Sequence, residues 1–351
     1  MTRIDWIILR RLSARVLLVT GIVFSVFALV ASLDLGMLRA VFRAGGPVLV
    51  GLAIVAAAAR AAVNTLPISV LMGTIVGVLD LQARREMVVI QATGISVWRA
   101  LRAPIVGALL LGIIAALAVD SAALVVQRSL PVNIGISRAS SLWIEQTGKD
   151  GAYVLYAEHP SLSGADLGDV TLFFSGGERQ RVTAATARLE ADQWRLTDGI
   201  RYPTTGEPKP FAEATVATVT TLGDLRVRMT SARDLTIPEL VQSLRDNVAD
   251  PELRAAAMTS LLRLVAMPFV LVGAVLVGFA FASGYRRTNK YGGMVLYGIV
   301  LGFVVYVVTE LAVRSGFAGV VDPAFAAGGP ALVAIVIGLT VLLYREDGRA
   351  S

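Results

Sequence analysis

The sequence predicts an α-helical membrane protein with six transmembrane helices and an all-β domain inserted between the third and the fourth. Two observations on composition and one on patterning lead there. Of the 351 residues 55% are hydrophobic and only 17% charged, with a mean hydropathy of +0.69, whereas a soluble chain carries a charged coat of roughly a quarter of its residues. The charges are bunched between long uncharged runs of bilayer-crossing length. One hydrophilic stretch, 128–257, instead shows β-rich runs and turn signals at short intervals.

The spans follow in order. Residues 16–33 carry no charge and, at about 1.5 Å of rise per residue, nearly cover a hydrocarbon core of roughly 30 Å. Arg3, Arg10, Arg11 and Arg15 precede them, as in a signal peptide, but the run exceeds the roughly 7 to 15 apolar residues of a signal core, which favours an anchor. Residues 48–79 are apolar apart from Arg60 and Asn64 and contain Pro67. They exceed the roughly 20 residues of a straight crossing, so one long, tilted or kinked helix is expected. Two re-entrant pieces are the alternative, because proline removes a ladder bond. Residues 103–127, with Asp120 as their one charge, make span three, and 264–285, 291–309 and 323–344 make spans four to six.

Basic residues set the orientation, because short cytoplasmic loops retain them. Arg3, Arg10, Arg11, Arg15, Arg84, Arg85, Arg99, Arg102, Arg286, Arg287, Lys290, Arg345 and Arg349 fall on one side, and Arg39, Arg43 and Arg314 on the other. Both termini are thus expected in the cytoplasm and 128–257 outside it. The net charge of +6 is explained by topology, with no nucleic-acid partner required. The expected organisation is 1–127 for spans one to three, 128–257 for the β domain and 258–351 for spans four to six.

Within the β domain, strands are expected at 152–157, 169–174, 181–189, 193–197 and 211–222, separated by turn signals at Ser175-Gly176-Gly177, Asp198-Gly199 and Pro203 to Pro210. Such spacing suits a sandwich, jelly roll or open barrel. Asp250-Pro251 and the Ala-rich stretch after it lead back into a helix.

Catalytic chemistry finds little support. The chain has no cysteine, which excludes disulfides and thiolate sites. Gly148-Lys149-Asp150 lacks the Ser or Thr and the preceding glycine of a phosphate-cradling loop. The single histidine, His159, is expected in a loop and cannot form a zinc ligand set alone. Asp120 has no second carboxylate at its depth. No catalytic residue and no metal site are therefore assigned.

Two other features point to function. Between spans two and three, 79–97 places Leu79, Ala83, Met87 and Ile90 at helical spacing, with Asp80 and Arg84 as an i,i+4 pair and Gly94 at a C-cap. It is expected as a short amphipathic helix on the cytoplasmic face, either lying in lipid headgroups or seated in a groove of a partner. Charges within or beside the spans, Asp34, Arg39, Arg43, Arg60, Asp120, Arg254, Arg263 and Glu310, are costly in lipid and usually face a cavity or a partner. Arg39, Arg43, Arg254 and Arg263 belong near the outer leaflet, where guanidinium groups meet the phosphates of an anionic amphiphile or snorkel to headgroups.

Taken in order, several of these segments resemble a family. They are Leu66-Pro67 followed by Gly73 and Gly77, Arg85-Glu86-Met87-Val88-Val89 with Thr93-Gly94-Ile95-Ser96, and Pro131 after span three. Leu142-Trp143, Arg263 with Pro268, Gly316, Pro323 and Glu346-Asp347-Gly348 complete the set. Together they are similar to the permease subunits of the lipopolysaccharide export ABC transporter, the LptF/LptG type, over essentially the whole chain. Ile4-Asp5-Trp6 and the Glu-Asp-Gly ending are more similar to the G subunit than to the F subunit.

The resemblance implies a six-span, non-catalytic subunit of the bacterial inner membrane with a periplasmic β-jellyroll. It implies a paralogous permease as heterodimer partner, a homodimeric cytoplasmic ABC ATPase, a third inner-membrane jellyroll subunit, and a periplasmic bridge protein that receives lipopolysaccharide. The chain itself then binds no cofactor, since ATP and Mg are used by the ATPase. Arg84, Arg85, Glu86, Met87, Gly94 and Ile95 correspond to the helix that docks in the ATPase. Arg263 falls at the family's basic position in span four, and Arg39 and Arg43 approximate the basic residues at the outer end of span one, all three as substrate-binding residues. Two rivals have another basis: a secondary transporter using Arg60 and Asn64 beside Pro67, and a membrane-anchored envelope assembly factor whose β domain is the functional part.

Overall fold

The computed structural model describes the chain apart from residues 1–2, 85, 87–96, 131–141, 149–150, 161–165, 176–180, 191, 247, 283–290 and 348–351. The helices are α1 (Arg3–Ser32), α2 (Leu35–Asn64), α3 (Leu66–Ala83), α4 (Val97–Ile114) and, after a π-helical turn at Ala115–Val119, α5 (Asp120–Ser129). Strands β1 (Leu142–Gly148), β2 (Gly151–Pro160), β3 (Asp166–Phe174), β4 (Arg181–Glu190), β5 (Gln193–Tyr202) and β6 (Lys209–Ala217) follow. Then come α6 (Leu222–Met229), α7 (Ile237–Arg245), α8 (Pro251–Ala282), α9 (Tyr291–Phe317) and α10 (Pro323–Asp347). The chain divides into two compact units, one of residues 1–135, 262–316 and 320–351, the other of 136–261 and 317–319.

Seven helical stretches among the described residues are long and apolar enough to cross a membrane, against the six crossings expected. The extra one arises because the long apolar run after α1 is carried by two helices. Thr65 ends α2, its hydroxyl donating to the Ala61 carbonyl at 3.0 Å. Pro67 lies at the start of α3, where its missing N–H costs nothing. Helix α3 runs antiparallel to α1. A Cβ on Gly73 falls 2.5 Å from the Val16 backbone, and one on Gly77 falls 3.4 Å from Leu12, so rising numbers on α3 meet falling numbers on α1. Helix α2 also packs on α1. A second break lies within α2, where Gly46 takes φ 72, a backbone region that glycine enters without a Cβ clash.

Helices suit this unit because a backbone in lipid has no water to bond and must satisfy itself. Their shared core draws Leu12, Leu71, Ile75, Leu101, Leu271 and Phe279 from α1, α3, α4 and α8. Small residues let the backbones approach: a Cβ on Gly112 of α4 meets Pro268 of α8 at 2.5 Å. The π-helical turn gives the chain one extra residue before α5, and Asp120 just beyond it stands 3.9 Å from Arg60 of α2, both side chains largely buried.

The second unit is built on a six-stranded antiparallel sheet in the order β1-β2-β3-β4-β5-β6, an up-and-down meander. Consecutive strands are paired, and the expected β domain is present, with helices α6 and α7 added to it where an all-β domain was expected. Alternate positions turn inward, as in β4, and bring Leu155, Leu172, Ala187, Trp194 and Leu196 into one core closed by Leu225 and Met229 of α6. Strand β1 had no counterpart in the expected runs. The run 211–222 stops being a strand at Ala217, because Thr221 and Asp224 form a reciprocal capping box that starts α6. His159, expected in a loop, is part of β2 and pairs with Gly168 of β3.

The sheet curls so that its outer strands meet. Tyr153 Oη of β2 lies 2.7 Å from Gln146 Oε1 on β1 and 2.9 Å from the Ala217 carbonyl oxygen on β6, its one proton shared between these acceptors. The Thr218 hydroxyl donates to the same Gln146 oxygen. Burial holds the Tyr153 hydroxyl above the ordinary tyrosine pKa, so it stays a neutral donor at physiological pH.

Two outcomes are expected. Tyr153→Phe leaves Gln146 short of a partner and costs about 1–3 kcal/mol, read as faster amide hydrogen exchange in β1 and β6 of the intact protein with α3 unchanged. Gly73→Ala forces α1 and α3 apart at a cost of about 1–3 kcal/mol, lowering the thermal midpoint in detergent. Gly21→Ala, whose Cβ meets nothing within 4 Å, serves as the control.

Candidate functional site

The helices of the first unit line an open, largely apolar trough. Each wall is one face of a helix. On α8, Arg263, Met267, Val270, Ala274 and Val277 recur every three or four residues, and on α9 Gly302, Val305, Thr309 and Val313 do the same, with Tyr306 beside them. Val63 and Asn64 at the end of α2, Pro67, Ile68 and Leu71 at the start of α3, and Pro330 and Ala334 of α10 complete the lining.

The lining is sorted by position. The polar groups Asn64, Arg263, Thr309 and Glu310 come from the end of α2, the first half of α8 and the last third of α9, whereas Leu71, Ala274, Val277 and Gly302 lie away from them along their helices. Arg263 donates from both terminal nitrogens to Asn64 Oδ1, at 3.3 Å each. Glu310 accepts from Arg314 Nε at 2.8 Å, one turn further along α9. A charge at the membrane edge is tolerable when paired or facing a cavity, and Arg263 meets both conditions. An apolar trough with a cation at one end suits an amphiphile whose chains lie along the aliphatic wall and whose anionic group meets the guanidinium.

Of the three arginines expected at a substrate, only Arg263 lines this cavity. Arg39 and Arg43 are exposed and one turn apart on α2, ahead of the break at Gly45 and Gly46. Asn64 was singled out only for the rival secondary-transporter reading, Tyr306 and Thr309 were not singled out, and Glu310 had no assigned role. Their signal was present in the helical recurrence of Tyr306, Thr309, Glu310 and Val313 around one face of an otherwise aliphatic span.

The separate helix expected over 79–97 begins differently, because 79–83 form the last turn of α3. Arg84 caps that helix and its Nε reaches Asp80 at 3.4 Å. Glu86 receives Arg11 of α1 at 2.8 Å. Arg85, Met87, Gly94 and Ile95 lie outside the described residues.

Comparison with curated proteins returned no match. The family model for the lipopolysaccharide export system permease LptF/LptG matches residues 6–345. With nearly the whole chain covered, apolar helices long enough to span a bilayer and a β domain inserted among them, the protein belongs to the LptF/LptG family of lipopolysaccharide export permeases.

Proposed function

We propose that this permease works as a G-type subunit of an ABC transporter, beside a paralogous partner and driven by a separate cytoplasmic ATPase. Lipopolysaccharide is taken from the outer leaflet of the inner membrane and passed to a periplasmic bridge. The observation that carries the reading is the sorted lining of the cavity: aliphatic residues over most of its length and Arg263 at the polar end. The aliphatic wall lets acyl chains leave the bilayer without meeting water, an exposure that costs about 0.8 kcal/mol per CH₂, and a phosphate gains charge-assisted hydrogen bonds from a guanidinium. Arg39 and Arg43, exposed on α2, extend the cationic surface available to a polyanionic headgroup.

The chain carries no phosphate-cradling motif, so the work comes from outside it. The segment from Arg84 to Ile95, with Glu86 at its start, is the element that receives that work. In this reading both termini and the segment lie in the cytoplasm, and the β domain lies in the periplasm as a docking module of the bridge.

Arg263→Glu is expected to lower photo-crosslinking of lipopolysaccharide to cavity positions by about tenfold, the scale of one charged hydrogen bond, with complex assembly intact. Crosslinking at the wild-type level would reduce Arg263 to a packing role. Glu86→Ala is expected to leave membrane insertion unchanged and to uncouple lipopolysaccharide release from ATP hydrolysis. Release per ATP equal to wild type would remove Glu86 from the coupling element.

A further inference from the structure

The cytoplasmic ends of α1 and α3 carry more charge contact than packing alone requires. Arg11 and Arg15 stand one turn apart on α1. Arg11 meets Glu86 at 2.8 Å, and Arg15 meets Asp80 at 3.1 Å. Asp80 also accepts from Arg84 at 3.4 Å, so it holds the end of α3 between two arginines. All four side chains of the inter-helix pairs are only partly exposed, between 23% and 35%, which shields them better than open surface pairs.

These pairs continue a contact that begins deeper in the unit. Val16 lies against Gly73 with no room for a Cβ, and Leu12 lies over Gly77. Following Gly73, Gly77, Asp80 and Glu86 along α3 and beyond, the partners on α1 are Val16, Leu12, Arg15 and Arg11. The two helices are therefore joined by backbone contact in the bilayer half and by ion pairs at the end. Gln82 adds a tie in the same turn, its side-chain amide donating to the Ala282 carbonyl of α8 at 2.8 Å.

We infer that Arg11 and Arg15 are positioning residues that fasten α1 to the base of the coupling segment, so that a displacement received at Glu86 is passed to α1 with α3 as one body. The inference rests on the reading of that segment as the receiver of work from an ATPase, and it adds which span follows it and through which side chains. Arg11 has a second consequence for Glu86: its guanidinium fixes the carboxylate at the foot of α1, so a partner that binds Glu86 pulls on α1 directly.

The chain contains no cysteine, which makes a clean test available in the assembled complex with its ATPase, reconstituted in liposomes containing lipopolysaccharide. Arg15→Cys combined with Asp80→Cys removes one inter-helix pair and leaves Arg11 with Glu86 in place, and a bis-methanethiosulfonate spacer then joins the two thiols until dithiothreitol releases it. Lipopolysaccharide released per ATP hydrolysed is expected to fall by about threefold in the double variant, the scale of one partly exposed ion pair, to return when the spacer is added and to fall again on reduction. Release per ATP at the parent level before cross-linking, or release that stays low or drops further on cross-linking, overturns the inference while the ATPase reading stands. A purified complex without ATPase overturns both.

Discussion

A hydrocarbon layer offers no partner for a peptide group or a charge, and most of this architecture answers that constraint. Backbone groups are satisfied inside long helices, and where a helix breaks, local bonds take over, as the Thr65 hydroxyl does at the Ala61 carbonyl. Charges in the apolar unit follow the same rule. Arg60 is set against Asp120, Arg263 against Asn64, and Arg314 against Glu310. Because each such charge needs a specific neighbour, the charges fix how the helices are placed as well as where the membrane begins and ends.

Close packing supplies the rest of the order. Lipid chains are as apolar as leucine, so helices gain from one another mainly by contact and complementary shape. Glycines at the crossings of α1 with α3 and of α4 with α8 bring backbones to distances that any side chain would prevent. Rigid neighbours of this kind transmit displacement, since a packed interface has few positions between its discrete arrangements. Helix α3 is thereby mechanically continuous with α1.

The cavity draws its walls from α2, α3, α8, α9 and α10, and α3 is also the helix whose end carries Asp80 and Arg84. A shift of α3 alters the cavity wall at Pro67, Ile68 and Leu71 directly. Lipid-facing helices of low burial, such as α1 and α9, leave wide apolar faces available to lipid or to other subunits.

Much of this was legible in the sequence, because the signals are local or one-dimensional. Uncharged runs marked the spans, period-two alternation marked most of β2 to β6, and the pairing of Asp80 with Arg84 followed from their spacing alone. Arg263 stood out because a charge beside an aliphatic run is costly until a cavity or a partner receives it. The misses have the same origin in reverse. The polar Glu145-Gln146-Thr147 stretch blurs the alternation of strand β1, and the capping box at Thr221 and Asp224 was hidden at the end of a β-rich run. Arg60 and Asp120 were each visible as costly charges, yet their meeting depends on a π-helical turn that no periodicity reveals. Arg11 meets Glu86 and Arg263 meets Asn64 across long stretches of chain. Composition and spacing determine which segments enter the bilayer and which residues are expensive there; only the packing of helices distant in sequence decides which of those residues face each other, because that choice is made by side-chain shape and distance in three dimensions.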